Sequence, residues 1–184
     1  MTSGTFLSPQ LRATACGLSV ALLALISSSG LATTYVELAI EEMASKADMA
    51  FHATVTEIEV ADRDGEPWTL VTFAVIESLS GDIEESVALE LLGGTLDNGV
   101  SVSVVGIPEF RSGDEVIVLA YDGSYVSPVV GFNQGLWRLT ARGFEDERGT
   151  LLSLDEDGRL IEDGDGGASD EILAALRQLI EDGS

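Results

Sequence analysis

The chain has 184 residues, 45% hydrophobic and 22% charged, with nine basic residues against 32 acidic ones and a formal net charge of −23. That length suits one domain, and that balance belongs to a folded chain and excludes a disordered one. Charge of this sign repels phosphate backbones and anionic lipid, which excludes nucleic-acid and membrane-surface binding; it reads first as a solvated surface adapted to salt, with cations or a basic partner as the other uses.

Residues 1–32 read as a cleaved signal peptide. Residues 1–12 are polar with one positive charge, Arg12, and residues 17–26 are an unbroken apolar and small run. Gly30 and Ala32 supply the small residues of a signal-peptidase site. The apolar run is too short to span a bilayer, which takes about 20 residues. Export to the periplasm or beyond follows, with a mature chain that starts at Thr33 and has no membrane anchor. Cys16, the only cysteine, precedes the apolar run, so lipidation is not predicted. Removing the segment loses one positive charge and no acid. It leaves no disulfide or thiolate metal site, so the fold must rest on its hydrophobic core.

Val36, Leu38, Ala39, Ile40, Met43 and Ala47 recur at helical spacing and predict a short helix over residues 36–47. From Met49 the period changes to two. Phe51, Ala53 and Val55 continue into Glu57 and Glu59, alternating with His52, Thr54, Thr56, Ile58 and Val60. Asp64-Gly65 lies at the centre of a hairpin turn, with residues 68–77 as the returning strand. Residues 68–77 are apolar on both faces and so predict a central strand. Further strands are expected at residues 86–92, 100–105, 115–121, 125–130, 135–140, 151–154 and 159–161. Gly93-Gly94 ends the first of these, and Asp155-Glu156-Asp157-Gly158 turns the last pair. Ile172, Leu173, Leu176, Leu179 and Ile180 form the apolar stripe of a terminal helix capped by Ser169 or Asp170.

Many short strands between frequent turns, with few helices, predict a mainly β fold. The expected form is a small Greek-key, OB-like barrel over residues 33–168, with a short N-terminal helix and a C-terminal helix over residues 169–184. A β-sandwich is the alternative.

No catalytic constellation emerges. One histidine, His52, and no mature cysteine cannot build the usual zinc sites, and no nucleophile elbow surrounds a serine. His52, at the start of a strand, reads as a structural or solvent-facing residue. Asp155, Asp157, Asp163 and Asp165 lie close together between glycines and are the calcium candidates. Aligning Gly158 with the glycine of a calcium loop puts Asp155 and Asp157 at ligand positions. The same alignment leaves Ser153 and Gly164 at the two ends, where acids are needed. Asp-Glu-Asp-Gly is equally a hairpin turn. No spacing selects a carboxylate pair for glycoside hydrolysis, and with 6% aromatics a carbohydrate platform is poorly supplied. Trp68 and Trp137 read as core residues, with a binding face as the other use of such side chains.

Ala47-Asp48 with residues 50–55, residues 72–81, Gly93-Gly94, Gly106, Pro108, Phe110, Gly113 and Val116, and Gly131 with Gln134-Gly135 resemble a group of uncharacterised exported bacterial proteins built on a small β-barrel. The resemblance covers about half of the chain and consists of turn glycines and apolar positions, which name no reaction. The layout also resembles the netrin-like barrel of metalloproteinase inhibitors. Those inhibitors present a processed N-terminal cysteine to the target's zinc, whereas this chain has Thr33 there, so the resemblance implies the barrel alone.

Three functional expectations follow. The first is a non-enzymatic module that binds another extracytoplasmic protein. The second is a calcium-dependent structural protein using the acidic C-terminal loop. The third, a carboxylate-dependent hydrolase, has no supporting spacing. No cofactor other than calcium is suggested, and nothing in the sequence sets the oligomeric state.

Overall fold

The computed structural model describes residues 36–80, 83–123, 125–162 and 164–183. The expected signal segment, Thr33 and Asp163 lie outside them. The fold is mainly β, with a short N-terminal helix, α1 (Ile40–Lys46), and a C-terminal helix, α2 (Ser169–Gly183). Among the described residues ten strands lie between them: β1 (Met49–Arg63), β2 (Glu66–Ser78), β3 (Ser86–Leu92), β4 (Gly94–Thr95), β5 (Ser101–Val102), β6 (Glu115–Ala120), β7 (Leu136–Thr140), β8 (Gly143–Glu145), β9 (Leu152–Leu154) and β10 (Leu160–Glu162). Six of them form one antiparallel sheet in the order β3-β2-β1-β6-β7-β8, and β4–β5 and β9–β10 are separate hairpins.

The β1–β2 hairpin is the backbone of the sheet, and its turn follows from two residues. Asp64 and Gly65 both adopt positive φ, 54° and 88°, as a two-residue hairpin turn requires. Asp62 Oδ1 accepts the Gly65 N–H at 2.7 Å and fixes the turn further. As its two apolar faces predict, β2 lies inside the sheet, between β1 and β3.

One register shift changes the reading of β1. The simple alternation puts Ile58 and Val60 opposite Val55, but Thr56 is an extra residue between Val55, which faces Phe73, and Glu57, which faces Thr72. Its hydroxyl donates to the Thr72 carbonyl at 3.0 Å. A bulge exchanges the two faces beyond it. Ile58 and Val60 therefore continue the Phe51–Ala53–Val55 face, and Glu57 and Glu59 continue the His52–Thr54 face.

Two cores lie on opposite faces of the sheet. The inner one gathers Phe51, Ala53, Val55, Val71, Phe73, Leu89, Leu91, Val116, Val118 and Leu136. The outer one packs Ala50, Leu79, Ile117, Leu119, Trp137 and Phe144 under α1, α2 and the β9–β10 hairpin. The strand β6 feeds both, which is why Val116–Ala120 has no exposed residue. The ladder ends at β3 on one side and β8 on the other. Leu92 at the end of β3 donates its N–H to the Val126 carbonyl, in the segment after β6, at 2.9 Å. Two whole strands separate β3 from β6, so the sheet coils towards itself around the inner core.

Three of the expected elements are altered. Residues 36–39 lie outside the helix, with Ala39 extended, because Gln134 takes up the backbone there: its Oε1 accepts the Leu38 N–H at 2.8 Å and its Nε2 donates to the Val36 carbonyl at 3.0 Å. Residues 125–130 form no named strand and enter a ladder only through the isolated bridge from Val129 to Ala120, and Pro128 among them has no N–H to offer. Of residues 100–105, only Ser101 and Val102 pair, with β4. At the C-terminus the apolar stripe behaves as the helical period predicts, burying Ile172, Leu173, Leu176 and Ile180. Among the described residues no helix is long and apolar enough to cross a membrane.

Candidate functional site

Gly93 and Gly94 end β3 and let the chain fold back over the hairpin. Both have positive φ, 126° and 123°. A Cβ on Gly94 would stand 2.9 Å from Val60 Cγ1 and 3.0 Å from Thr69 Oγ1, so only glycine fits here. Gly93 donates its N–H to the Pro67 carbonyl at 2.9 Å and accepts the Thr69 hydroxyl at 2.8 Å. The β4–β5 hairpin thus crosses one end of the inner core and forms one wall of a cleft.

The loop before β6 forms the other wall. Arg138 on β7 holds it: Nε donates to Asp114 Oδ2 and Nη2 to the Glu109 carbonyl, both at 2.8 Å. Asp114 Oδ2 also accepts the Arg111 N–H at 3.1 Å. Phe110 is thereby set edge-on against the buried Phe73, ring centroids 5.4 Å apart. Between the walls is a cleft of about 410 Å³ lined by Ile58, Leu91, Val102, Val104, Ile107 and Phe110. Thr69, Thr95, Ser101, Ser103 and Glu109 supply its polar atoms. The cleft is concave and its lining mixes apolar side chains with convergent polar groups, and concave sites of this kind are where ligands ordinarily bind.

The cleft opens beside an unpaired strand edge. The β6 side of β1 is bonded as far as Val55, whose carbonyl accepts the Gly113 N–H at 2.8 Å, and Thr56, whose carbonyl accepts the Ser112 hydroxyl at 3.2 Å. Beyond Thr56, residues 57–63 pair with β2 alone among the described residues, and all of them are exposed. No expected strand or helix covers residues 107–114, so the sequence gives no element from which to build this wall. The available signal was Pro108 and Phe110 between two turns, an apolar pair out of place in a solvated loop.

Electrostatics around the site is one-sided. Lys46 and six arginines are held in ion pairs: Lys46 with Glu42, Arg63 with Glu90, Arg138 with Asp114, Arg142 with Glu145, Arg148 with Glu37 and Asp146, Arg159 with Asp155 and Asp157, and Arg177 with Glu77. Arg111 has none among the described residues. The fold therefore consumes nearly all of its positive charge, and the acids in excess of these pairs give the surface its field.

The other candidates occupy different places. His52 is buried on the outer-core face, with Nε2 2.8 Å from Glu115 Oε1 and its ring edge-on to Phe144 at 5.6 Å. Its Nδ1 is buried without a hydrogen-bond partner. Among the described residues no serine, threonine or cysteine side chain is bonded to it. Trp137 is fully buried in the outer core, whereas Trp68 is half-exposed near the hairpin tip under the Arg63 guanidinium, 5.9 Å from the ring centroid.

Asp155 and Asp157 sit at the β9–β10 turn. Asp155 Oδ1 accepts the N–H groups of Asp157 and Arg159 at 2.9 and 2.8 Å, and Oδ2 accepts Arg159 Nε at 2.9 Å. Asp157 Oδ2 is 3.0 Å from Arg159 Nη2. Asp165 is exposed after β10, and Asp163 lies outside the described residues. Among the described residues no three potential ligands of His, Cys, Asp or Glu type come together.

The backbone N–H of Arg159, then its guanidinium and the Asp157 N–H, hold the Asp155 carboxyl below the ordinary aspartate range against partial desolvation. A depressed folded pKa stabilises above the unfolded value, and that contribution is lost as pH falls through the folded value. Carboxyl carbon NMR is expected to show Asp155 as a low titration. Arg159→Ala should move it only part of the way back, because the backbone donors remain. A titration at the ordinary value would show that the turn is open in solution.

Comparison with family models, curated proteins and solved structures finds no match for this chain.

Proposed function

We propose that this chain is an exported, acidic module that binds another extracytoplasmic protein and performs no chemistry of its own. Its fold in this reading is an OB-like barrel, with the coiled sheet as the barrel wall and the two terminal helices on its outside. The observation that carries the reading is the cleft of mixed polar and apolar lining at one end of the inner core, opening beside an unpaired strand edge. An edge of that kind is ordinarily paired, covered or blunted. Partners recognised through open sheet edges gain affinity from main-chain bonds and selectivity from adjoining pockets.

The test is cross-linking of the protein in its native compartment, beside Ile58→Asp, which puts a carboxylate at the cleft mouth on a residue already 36% exposed. A partner captured by the wild type and lost with Ile58→Asp is expected. Equal capture by the two proteins would remove the cleft from the reading, and no capture at native concentration would remove the reading itself.

The calcium reading has a separate signature. A cation at Asp155 and Asp157 would have to displace Arg159. A calcium-specific rise in melting temperature at constant ionic strength, abolished by Asp157→Ala, would establish it.

A further inference from the structure

We infer that the open edge of β1 between Ile58 and Asp62 receives an extended, basic segment of a partner protein as an added strand, apolar side chains towards the cleft and cationic ones towards Glu57 and Glu59. This rests on the protein-binding reading above and names the partner's chemistry.

The hairpin turn fixes which backbone groups are free. With two residues in the turn, Arg63 and Glu66 are the pair that exchanges both hydrogen bonds. Bonding pairs then recur at every second position, so Ala61 and Glu59 bond to β2. Ile58, Val60 and Asp62 turn their N–H and C=O outward. Pro67, opposite Asp62, agrees with this phase: it has no N–H, and its carbonyl accepts the Gly93 N–H, away from β1. Six backbone groups thus lie along five residues, a span of about 17 Å at the usual strand rise, which is the length of an ordinary strand.

Side-chain direction sets the partner's pattern. Beyond the bulge, Ile58 and Val60 face the side of the cleft, and Glu57 and Glu59 face the other. A strand laid against this edge places successive side chains on the same two faces. Its apolar residues meet Ile58 and Val60 at the cleft mouth, and its lysines or arginines meet Glu57 and Glu59. Opposite charges on neighbouring strands attract, and like charges directly opposite repel. The same rule opposes a second copy of this chain at the edge. Two β1 edges paired antiparallel would put four carboxylates on one face, which is how natural edges resist self-pairing.

The probe is an acetylated, amidated hexapeptide alternating lysine and valine, and its counterpart alternates glutamate and valine. Each is added to the protein as the cell processes it, with amide exchange followed by NMR. The lysine peptide is expected to bind and to slow exchange at Ile58, Val60 and Asp62. The double variant Glu57→Lys/Glu59→Lys, at two exposed positions, should weaken it about tenfold or more by removing two cross-strand attractions and adding repulsion. Val60→Pro should abolish the protection, because it removes an outward N–H and leaves the β2 ladder intact.

Binding of the lysine peptide without slowed exchange at those three amides would mean diffuse attraction to an acidic surface and would overturn the proposal. Equal binding of the glutamate peptide would overturn it as well. So would reversible dimerisation lost on Val60→Pro, which would give the edge to a second copy. Failure of both peptides alongside a captured partner that is lost with Ile58→Asp would overturn the strand-addition proposal and leave the protein-binding reading standing.

Discussion

Phe73→Ala is expected to lower the unfolding free energy by about 3–5 kcal/mol, the usual cost of removing a buried aromatic ring. The ring is fully buried at the centre of the inner core. It stands edge-on to Phe51 at 5.5 Å and to Phe110 at 5.4 Å, so its removal breaks two aromatic contacts at once. Phe51, on β1, and Phe73, on β2, are held by two long strands that cannot close over the space, so the cost belongs in the upper part of that range. Domains of this size are stable by about 5–15 kcal/mol in all, so the variant should unfold at much lower urea. Phe73→Leu keeps most of the volume and should cost about 1–2 kcal/mol. The same substitution should reach the cleft, because Phe110 loses the ring it rests on. Amide exchange of residues 109–114 should quicken in Phe73→Ala more than in Phe73→Leu. A loss below about 1 kcal/mol for the alanine variant would mean that the inner core collapses freely and that the aromatic trio does not organise it.

How much of this was legible in the sequence depends on the range of the interaction that decides each element. Asp64-Gly65 is a local signal, and the turn it predicts is present with both residues at positive φ. The run Val116–Ala120 is apolar at every position, and β6 is buried on both faces as such a run should be. Both helices were visible as 3.6-residue periods. The start of α1 was set too early because an amide 96 residues away, Gln134 Oε1, takes the Leu38 N–H. The bulge at Thr56 has no signature in the alternation around it, since valine, isoleucine and threonine suit either face. It decides which side chains reach the cleft, so the site could not be read without it. The open edge is further removed from local pattern, because it exists only where the pairing with β6 stops, at the strand's first residue Glu115, and the loop before it turns away through Gly113. The strand β8 was missed: three residues are too few to carry a period, and its turn glycine, Gly143 at φ 127°, is itself the first residue of the strand. Coiling of the sheet is set by where β3 meets the segment after β6, at Leu92 and Val126, a contact 34 residues apart that no window of the sequence contains.

Trp137 offers the larger pH-dependent effect. The indole is fully buried in the outer core and its Nε1 donates to Glu162 Oε1 at 3.1 Å. Burial pushes the Glu162 carboxyl above the ordinary glutamate range, and the indole N–H partly offsets that push. A carboxyl whose folded pKa is raised contributes stability that is fully present below its unfolded pKa and is lost as pH rises through the folded value. Removing the donor raises the folded pKa further, so the ionised form becomes more costly to keep in the fold. Trp137→Phe should therefore cost least at acidic pH, where Glu162 is protonated in both states and only packing is lost. Its cost should grow by about 1 kcal/mol towards neutral pH, a hydrogen bond to a charged group discounted for the partial exposure of Glu162. Trp137→Ala adds the loss of the ring and should cost about 3–5 kcal/mol at either pH, with the same increment on top at neutral pH. Urea unfolding of wild type and both variants at pH 3.5 and pH 7 separates the two contributions, because every other carboxylate cancels in the difference from wild type. Glu162→Gln should remove the pH dependence of Trp137→Phe while leaving its packing cost. An increment that persisted in Glu162→Gln would assign it to another carboxyl near the site, with Asp146 and Glu37 the nearest in charge influence.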